Sequence, residues 1–412
     1  MDVLRPLQGV TVVDLTHLLA GPFCTMLLAD AGATVLKIEP PGGEISRHRF
    51  PFYVTESGER VSAYFAAVNR GKQSVALDLK SELGLRALEQ LFEGADVIVM
   101  NYREQALRRL GIEPERLHSR FPRAVIASIT AFGRHPTSPQ TSRPGLAIVA
   151  EASSGITGLS QGDNDAPTWV GFALGDFVSG QTAFGAISAA LVRSLKTGEG
   201  CYLDLSMTDA LLAFNGIDLV RHQAAAASPD TAAGRSSPVP YGVFPAADGY
   251  VVIGCNSDEF WRRLRIAMDP GETDRSLDRF ATALARMEHR DEVIARVSEW
   301  TRSAGRDNLV NRLVEAGIPC GPVNSAADVL SLQFLRDRGS LRDVAFAGSR
   351  FVVPHGSLGM AATEAGVVAE LPQLGAQTES VLRKRTTLSD EEIDLVLNRA
   401  ASTPPPKAQF GT

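Results

Sequence analysis

Short apolar runs alternate with amphipathic segments along the first third of the chain. Runs rich in β-branched residues predict buried strands, and segments with apolar residues at helical spacing predict helices. The predicted strands are Val10–Leu15, Val35–Glu39, Ser74–Leu79, Val97–Asn101 and Val125–Thr130. The predicted helices are Pro22–Ala31, Glu82–Phe92 and Glu104–Leu110. This alternation predicts an α/β fold with a parallel sheet, and ligands outside the carboxyl ends of its strands.

In a dinucleotide-binding fold, the turn after the first strand would carry a glycine-rich fingerprint. Here that turn reads "THLLAGP" from Thr16 to Pro22, without the three glycines of the G-x-G-x-x-G fingerprint. Without them the backbone cannot cradle a pyrophosphate in the usual way. Glu39 ends the next strand, where dinucleotide folds place an acidic ribose ligand, but a lone carboxylate there is more typical of an ordinary strand end. The sequence therefore argues against NAD.

A different pattern begins near residue 230. Tyr241–Phe244 and Tyr250–Ile253 flank Asp248-Gly249, which predicts a hairpin, and a helix is predicted from Asp258 onward. These elements predict a second, small α+β domain. Near the end of the chain, Ser389 and Glu392 form a capping box that predicts one more helix.

Composition narrows the class of protein. The chain has 412 residues, 44% hydrophobic and 21% charged, which is typical of a globular protein of two or three domains. A net charge of −6 argues against nucleic-acid and membrane-surface partners. Four scattered cysteines without C-x-x-C, and the lack of an apolar signal stretch, lead us to expect a cytoplasmic protein. Seven histidines contain no H-x-x-x-H or H-E-x-x-H pair, so no metal site is predicted.

Two residues are candidate nucleophiles. Ser160 lies in "GLSQG", which matches the G-x-S-x-G elbow of serine hydrolases. An elbow needs an apolar strand before the serine and a helix after it, whereas turn-forming residues surround Ser160 on both sides. Asp176 starts an apolar helix rich in small residues, predicted from Gly175 to Leu195, and a carboxylate there acts as a helix N-cap or in catalysis. Such a helix suits a buried core or a close contact between subunits.

Seven segments spread over nearly the whole chain carry a family resemblance. They are "PLQGVTVVDLTHLLAGPFCTMLLADAGATVLKIEPPGG", "NRGKQSVALDLK", "ADVIVMNYREQALRRLG", "VGFALGDFVSGQTAFGAISAAL", "KTGEGCYLDLSM", "YGVFPAADGYVVIG" and "AGIPCGPVNS". Together they are specific, and the chain resembles the family III coenzyme A transferases. That family includes formyl-CoA:oxalate and carnitine CoA-transferases and is related to the α-methylacyl-CoA racemases.

The resemblance implies an architecture. It consists of a large Rossmann-like CoA-binding domain and a small α+β domain joined by long linkers, with two ring-like subunits interlocked in a homodimer. On this chain we expect the large domain at 1–205, a linker at 206–229 and the small domain at 230–325. A second linker at 326–345 then leads to a C-terminal segment at 346–412 that returns to the large domain.

The resemblance also implies roles for individual residues. The nucleophile falls on Asp176, which would carry an acyl anhydride and then a CoA thioester in a ping-pong reaction between an acyl-CoA and a small carboxylic acid. Coenzyme A is a substrate here, so no permanently bound cofactor is expected. His17, Arg47 and Gly175 match positions that line the acyl site or its entrance. The positions that match CoA contacts are Leu19, Ala20, Leu77, Asp78, Leu79, Lys80, Asn101, Tyr102, Arg103 and Arg109.

The chain departs from two branches of this family. Formyl-CoA:oxalate transferases place Gln at Leu19 and an acidic residue at Ala147, so the sequence does not favour oxalate as acceptor. The racemases place a His-Asp pair at Leu146 and Ala147, and without it a two-base proton transfer has no partner. A racemase stays the alternative. Arg47 indicates a second carboxylate on the substrate, as in a dicarboxylic acid.

Overall fold

The computed structural model describes residues 5–134, 139, 143–159, 166–227, 238–355, 358 and 370–402. The chain forms two compact units. The large unit contains Met1–Gly216 and Gln333–Thr412, and the small unit contains Ile217–Leu332. Ser160 and the proline-rich segment 403–406 lie outside the described residues.

The strands, numbered in chain order, have the following bounds. They are β1 Thr11–Asp14, β2 Thr34–Glu39, β3 Phe52–Val54, β4 Arg60–Ser62, β5 Gln73–Ala76, β6 Val97–Met100, β7 Val125–Thr130, β8 Cys201–Ser206, β9 Tyr241–Ala246, β10 Gly249–Gly254, β11 Cys320–Pro322, β12 Leu341–Phe346 and β13 Ser349–Pro354.

The α-helices are numbered in the same way, and short 3-10 helices cover Ile45–His48 and Arg275–Phe280. The α-helices are α1 Ala20–Asp30, α2 Ala63–Asn69, α3 Glu82–Glu93, α4 Glu104–Leu110, α5 Pro114–Arg120, α6 Ala147–Ser153, α7 Ile156–Leu159, α8 Leu174–Thr197, α9 Met207–Phe214, α10 Gly216–Ala227, α11 Asp258–Met268, α12 Ala283–Glu288, α13 Arg290–Arg302, α14 Arg306–Glu315, α15 Ala326–Ser331, α16 Gln333–Asp337, α17 Thr378–Arg385 and α18 Asp390–Ser402.

A six-stranded parallel sheet forms the centre of the large unit, as the sequence predicts. Its strand order is β5-β2-β1-β6-β7-β8. Val12 and Val35 pack into the hydrophobic core on one face, and Val13 and Leu36 pack into the core on the other. Because both faces are buried, the strands are continuous apolar runs rather than alternating ones.

Strand order reverses between β1 and β6. From β1 the chain proceeds to β2 and β5 on one side, then returns to β6, β7 and β8 on the other. At such a switch point the loops leaving neighbouring strands diverge and open a crevice at the carboxyl edge. The loop after β1, residues 15–19, and the segment after β6, residues 101–103, both lie there.

The predicted strands and helices of the first third are all present, with small shifts at their ends. β5 ends at Ala76, three residues before the predicted end at Leu79. The reason is a turn at Asp78, whose carbonyl oxygen accepts hydrogen bonds from the N–H and the hydroxyl of Ser81. Ser81 then caps α3 by accepting a hydrogen bond from the N–H of Gly84.

Helix α8 packs against α1 at a point where only glycine fits. A Cβ atom on Gly180 would lie 2.6 Å from the carbonyl oxygen of Ala20 and 3.0 Å from Cδ1 of Phe23. The predicted helix over 175–195 is confirmed. Gly180, one of its small residues, allows the close contact with α1. The opposite side of α8 is exposed and includes Val192 and Leu195.

The small unit has its own sheet and core. β9 and β10 form the predicted hairpin, and β11 pairs with β10 in a three-stranded antiparallel sheet of order β11-β10-β9. The helix predicted from Asp258 is α11, which buries Trp261 and Leu264 against this sheet and the following helices.

The C-terminal helices α17 and α18 complete the large unit. Thr378 Oγ1 accepts a hydrogen bond from the N–H of Ala76 in β5. The predicted capping box is confirmed, since Ser389 Oγ accepts the N–H of Glu392 while the Glu392 carboxylate accepts the N–H of Ser389. No helix among the described residues is long and apolar enough to cross a membrane.

Candidate active site

The loop after β1 is fixed by polar side chains from neighbouring strands. The side-chain carbonyl of Asn101, after β6, accepts the N–H of His17 at 2.9 Å, and its amide donates to the carbonyl of His17 at 2.8 Å. Lys37, buried in β2, donates to the carbonyl of Thr16 at 3.0 Å. Leu18 has a φ of +66°, which is uncommon for a non-glycine residue and requires such support.

A buried ionic cluster lies beneath this loop, consisting of Asp14, Thr16, Thr25 and Lys72. Asp14 accepts hydrogen bonds from the N–H and hydroxyl of Thr16, the hydroxyl of Thr25 and the ammonium of Lys72. Burial by itself raises the pKa of Asp14, but Lys72 and Lys37 and the two hydroxyls outweigh it, so this pKa lies well below its ordinary value. We call this group the Asp14 cluster.

Asp176 lies at the third position of α8, so it is not the N-cap of this helix. Its carboxylate accepts a hydrogen bond from the backbone N–H of Ala20, the first residue of α1. α1 has no side-chain cap and no acidic residue in its first turn, so Asp176 supplies the negative charge that a helix N-terminus favours. The close contact at Gly180 brings the two helix starts together.

The electrostatic surroundings of Asp176 differ from those expected for an exposed aspartate. The pKa of Asp176 is raised to about 6 in total. Burial is the largest cause, and the charge of Glu151 adds to it, whereas the N–H of Ala20 and the charge of Arg49 lower the pKa. Asp176 is still mostly ionised at pH 7, but its charge is poorly stabilised.

Glu151 is a second carboxylate in this region, which the sequence analysis did not single out. It lies in α6 and is 1% exposed. Its oxygens accept hydrogen bonds from the N–H of Gly175 and from Nε1 of Trp169, both at 2.9 Å. Its signal in the sequence is a lone acid inside the apolar and small stretch "LAIVAEASS".

Gly175 has a packing role in this structure. A Cβ atom there would lie 3.3 Å from the backbone of Ala147 in α6, which is tighter than most such contacts. Its N–H is bound to Glu151. The absence of a side chain at residue 175 is therefore accounted for by the contact between α6 and α8.

Three cations of the predicted CoA-binding set are exposed. Lys80 follows β5, Arg103 follows β6 and Arg109 lies in α4. None of the three takes part in an ion pair with another described residue. β5 and β6 are three strand spacings apart in the sheet, roughly 14 Å, so these cations span a length suited to an extended ligand with several phosphates.

The rest of the segment after β5 is bound within the large unit. The side chain of Leu77 is fully buried, and that of Leu79 is partly buried against the same core. Asp78 forms an ion pair with Arg399 of α18, and its carboxylate also accepts the N–H of Lys80 at 3.0 Å. The C-terminal segment thereby fixes the turn that presents Lys80.

The predicted contacts at the switch point lie together. Leu19 precedes α1, and Ala20 begins it. Tyr102 packs edge-on against the ring of His17, with 4.9 Å between ring centroids. Asn101 fixes the backbone of His17 as described above.

His17 and Arg47, the predicted substrate residues, both contact buried acids. Nδ1 of His17 lies 3.8 Å from Glu44. Arg47 forms a bidentate pair with Glu39, with two 2.7 Å hydrogen bonds, and its guanidinium lies over the ring of Phe65. Glu39 thus has the structural strand-end role that the sequence favoured, and one edge of the Arg47 guanidinium is occupied by protein.

The alternative chemistries find little support among the described residues. α7, a helix, immediately precedes Ser160, where a serine elbow needs a strand. Leu146 and Ala147, at the racemase positions, carry no titratable group. No group of three metal-binding side chains occurs in the described ranges.

Comparisons with known proteins show which family this chain belongs to. Residues 7–378 match the model of CoA-transferase family III. A succinyl-CoA:mesaconate CoA-transferase of Haloarcula marismortui is 32% identical, over 96% of this chain and 99% of the relative. A human succinyl-CoA:glutarate CoA-transferase is 31% identical, over 97% of this chain and 90% of the relative. The crystal structure of a CAIB/BAIF family protein from Brucella suis superposes with a TM-score of 0.79 at 30% identity, over 92% of this chain and 99% of that one.

Proposed function

Because the chain belongs to CoA-transferase family III, and is an acyl-CoA:carboxylate CoA-transferase, we propose that it moves CoA from an acyl-CoA to a dicarboxylic acid through covalent intermediates on Asp176. The observation that carries the proposal is the state of the Asp176 carboxylate. This carboxylate, in α8, is largely buried beside the first residue of α1. The backbone N–H of Ala20 is bound to it, and the charge of Glu151 opposes its ionisation. Such a group is a better nucleophile than a fully solvated or ion-paired one.

The first half of the proposed reaction transfers CoA to the enzyme. An oxygen of Asp176 attacks the thioester carbonyl, the carbon–sulfur bond breaks and CoA leaves as thiolate, giving a mixed anhydride. The thiolate then attacks the Asp176 carbonyl carbon, and the carbon–oxygen bond to the donor acyl group breaks. The donor leaves as a carboxylate, and Asp176 carries CoA as a thioester.

The second half repeats these exchanges in reverse with the acceptor. Its carboxylate attacks the Asp176 thioester and expels the thiolate, which then attacks the acceptor acyl group of the new anhydride. The new acyl-CoA leaves and Asp176 is regenerated. In each step negative charge develops on an oxygen close to the first turn of α1, whose N–H groups are suited to stabilise it.

CoA binding in this proposal uses the carboxyl edge of the sheet. Lys80, Arg103 and Arg109 bind the phosphates, and the backbone at Leu19, Ala20 and Leu77 lines the path to Asp176. A dicarboxylate as substrate is supported by the two named relatives, whose donor is succinyl-CoA. Because Glu39 engages one edge of Arg47, we propose that Arg47 shapes the entrance by packing on Phe65.

We also propose that the protein is an interlocked homodimer. The exposed side of α8 and the end of α9 carry large apolar side chains, with Leu195 73% and Phe214 69% exposed. An apolar surface of this kind is typical of an interface. Interlocked rings cannot exchange subunits without unfolding, so mixing tagged and untagged dimers should give no hybrid dimers until the protein is denatured and refolded.

The test of the proposed function is a screen of donor and acceptor pairs, beginning with succinyl-CoA and dicarboxylic acids, read by mass spectrometry. Asp176→Ala should lower turnover on the order of 10^4-fold or more. Asp209→Ala is the matched control, because Asp209 occupies the same third position in α9 but is exposed, and it should leave turnover unchanged.

Hydroxylamine added during turnover should modify Asp176 and leave Asp209 intact. An active preparation with an unmodified Asp176 would contradict the proposed chemistry. Solvent deuterium at the α-carbon of an acyl-CoA, without any acceptor acid, would instead support the racemase alternative.

A further inference from the structure

Glu151 is a buried carboxylate that the reaction steps above do not use. Its side chain is 1% exposed, within a helix whose other residues are apolar or small. Each of its two oxygens accepts a hydrogen bond from an N–H group, at Trp169 and at Gly175. This is the bonding pattern of an ionised carboxylate, which has acceptors only.

The two donors lie on either side of the segment that leads into α8. Trp169 is before the helix, and Gly175 is the residue next to Asp176. A packing contact reinforces the hydrogen bond, because Gly175 also lies against Ala147 in the same helix as Glu151. Glu151 therefore fixes the backbone from which Asp176 projects.

The charge of Glu151 acts on Asp176 as well. Two charged groups act on Asp176: Glu151 of α6 opposes its ionisation, and Arg49, in the segment before β3, favours it. The N–H of Ala20 in α1 also favours the ionised form. Once Asp176 is acylated or bound to CoA it is uncharged, so the repulsion from Glu151 disappears. A fixed negative charge here destabilises the free carboxylate relative to both covalent forms.

We propose that Glu151 is a positioning residue that holds the start of α8 and whose negative charge shifts the enzyme toward the covalent Asp176 intermediates. This inference rests on the proposed function, because it concerns the same nucleophile. It assigns Glu151 two effects that can be separated, one from its hydrogen bonds and one from its charge.

The experiment measures the covalent enzyme at equilibrium. Full-length protein is incubated with succinyl-CoA and increasing succinate, without another acceptor, and the fraction carrying CoA on Asp176 is read by intact mass and peptide mapping. Glu151→Gln keeps the size of the side chain and removes its charge. We expect it to lower the equilibrium constant for the covalent form about tenfold, the equivalent of one pKa unit. The acid limb of kcat/KM should move to lower pH in the same variant.

Two further variants separate charge from hydrogen bonding. Trp169→Phe removes one N–H donor and leaves the charge, so the equilibrium constant and the acid limb should stay at the wild-type values. Glu151→Asp keeps the charge with a shorter side chain, so the equilibrium constant and the acid limb should return to the wild-type values. This variant can also be measured if Glu151→Gln fails to fold.

The outcomes distinguish this inference from the proposed function. Wild-type protein that forms no adduct on Asp176 would overturn the proposed function and this inference with it. A normal wild-type adduct with no change in Glu151→Gln would overturn the inference alone. Equal losses in Glu151→Gln and Trp169→Phe would also overturn it, because the charge would then have no separate effect.

Discussion

Asp14 and Asp176 are both aspartates withdrawn from solvent near the carboxyl edge of the same sheet, and their surroundings are opposite. Asp14 accepts four hydrogen bonds and lies beside two lysines, Lys72 and Lys37. Asp176 has the N–H of one residue of α1 and a neighbouring negative charge. The pKa of Asp14 lies well below its ordinary value, and that of Asp176 is raised to about 6.

The difference separates a structural carboxylate from the one that we propose as the nucleophile. A carboxylate whose lone pairs are all bound to donors is stabilised in its charged form and has no reason to react. A carboxylate that is buried without such donors is destabilised in its charged form. Its free energy therefore falls when it becomes covalently bound and neutral. Within the Asp14 cluster, Asp14 holds Thr16 of the loop before α1, and Lys72 donates a hydrogen bond to the carbonyl of Pro22 in α1. Asp14 therefore helps to position the start of α1, whose Ala20 acts on Asp176.

The largest expected effect on folding comes from breaking the Asp14 cluster. Asp14→Asn leaves the Lys72 ammonium buried without its counter-charge and places an amide against donors. Removing one partner of a buried ion pair costs about 3–5 kcal/mol. We therefore expect the free energy of unfolding, measured with urea at pH 7, to fall by that amount.

Two controls test this explanation. Glu89→Gln breaks the exposed pair with Arg120 and should cost less than about 1 kcal/mol. The double variant Asp14→Asn with Lys72→Met should lose less than the sum of the single variants, because no unpaired charge remains buried. Additive losses would show that the ion pair is not the source of the stability.

Asp176→Asn should have the opposite effect on stability, and a smaller one. The pKa of Asp176 is raised from 3.8 to about 6 on folding, so its contribution to stability is fully present below pH 3.8 and is lost as pH rises through about 6. Asparagine does not titrate. The variant should therefore gain about 2–3 kcal/mol over the wild type between pH 4 and pH 8.

Urea unfolding of both proteins across this pH range measures that gain, and other carboxylates cancel in the difference. Turnover by the wild type should fall as pH drops through about 6, where Asp176 becomes protonated. A stability difference that does not vary with pH would mean that Asp176 is solvated like an ordinary surface acid.

Gly180→Ala should disturb the same site through packing. Its Cβ would lie 2.6 Å from the carbonyl oxygen of Ala20, a backbone atom that cannot rotate away, so α1 must shift and its N–H leaves Asp176. Overpacking of this kind costs about 1–3 kcal/mol. Turnover should fall more than stability does, as judged by assays well below the melting temperature. Gly94→Ala is the control, since its Cβ meets open space at a negative φ.

The fold of the large unit could be predicted because its signals are local. Strands buried on both faces are continuous apolar runs, and helices such as α3 and α4 follow with clear ends, so the pattern predicted the parallel sheet. Strand ends were less certain, because β5 ends where Asp78 forms a turn through its own carbonyl oxygen. That contact depends on a neighbour three residues away rather than on apolar spacing.

The candidate site could be predicted only in part. Asp176 was found through its position at a helix start and through family resemblance, but its pKa depends on Ala20 and Glu151, far away in the chain. Lys72 and Lys37 resemble surface charges in the sequence and are buried in the structure. No local pattern reports which distant groups face each other.

Replacing Ser160 should have the smallest effect, and it tests whether a second nucleophile competes with Asp176. The motif "GLSQG" matches the letters of a serine elbow, but the helix Ile156–Leu159 precedes the serine, where an elbow needs a strand. Ser160→Ala should leave turnover within about twofold of the wild type, and serine-directed fluorophosphonates should not inhibit. A loss comparable to that of Asp176→Ala would place the covalent chemistry on Ser160. The difference in hydrogen bonding between Asp14 and Asp176 would then have no connection to catalysis.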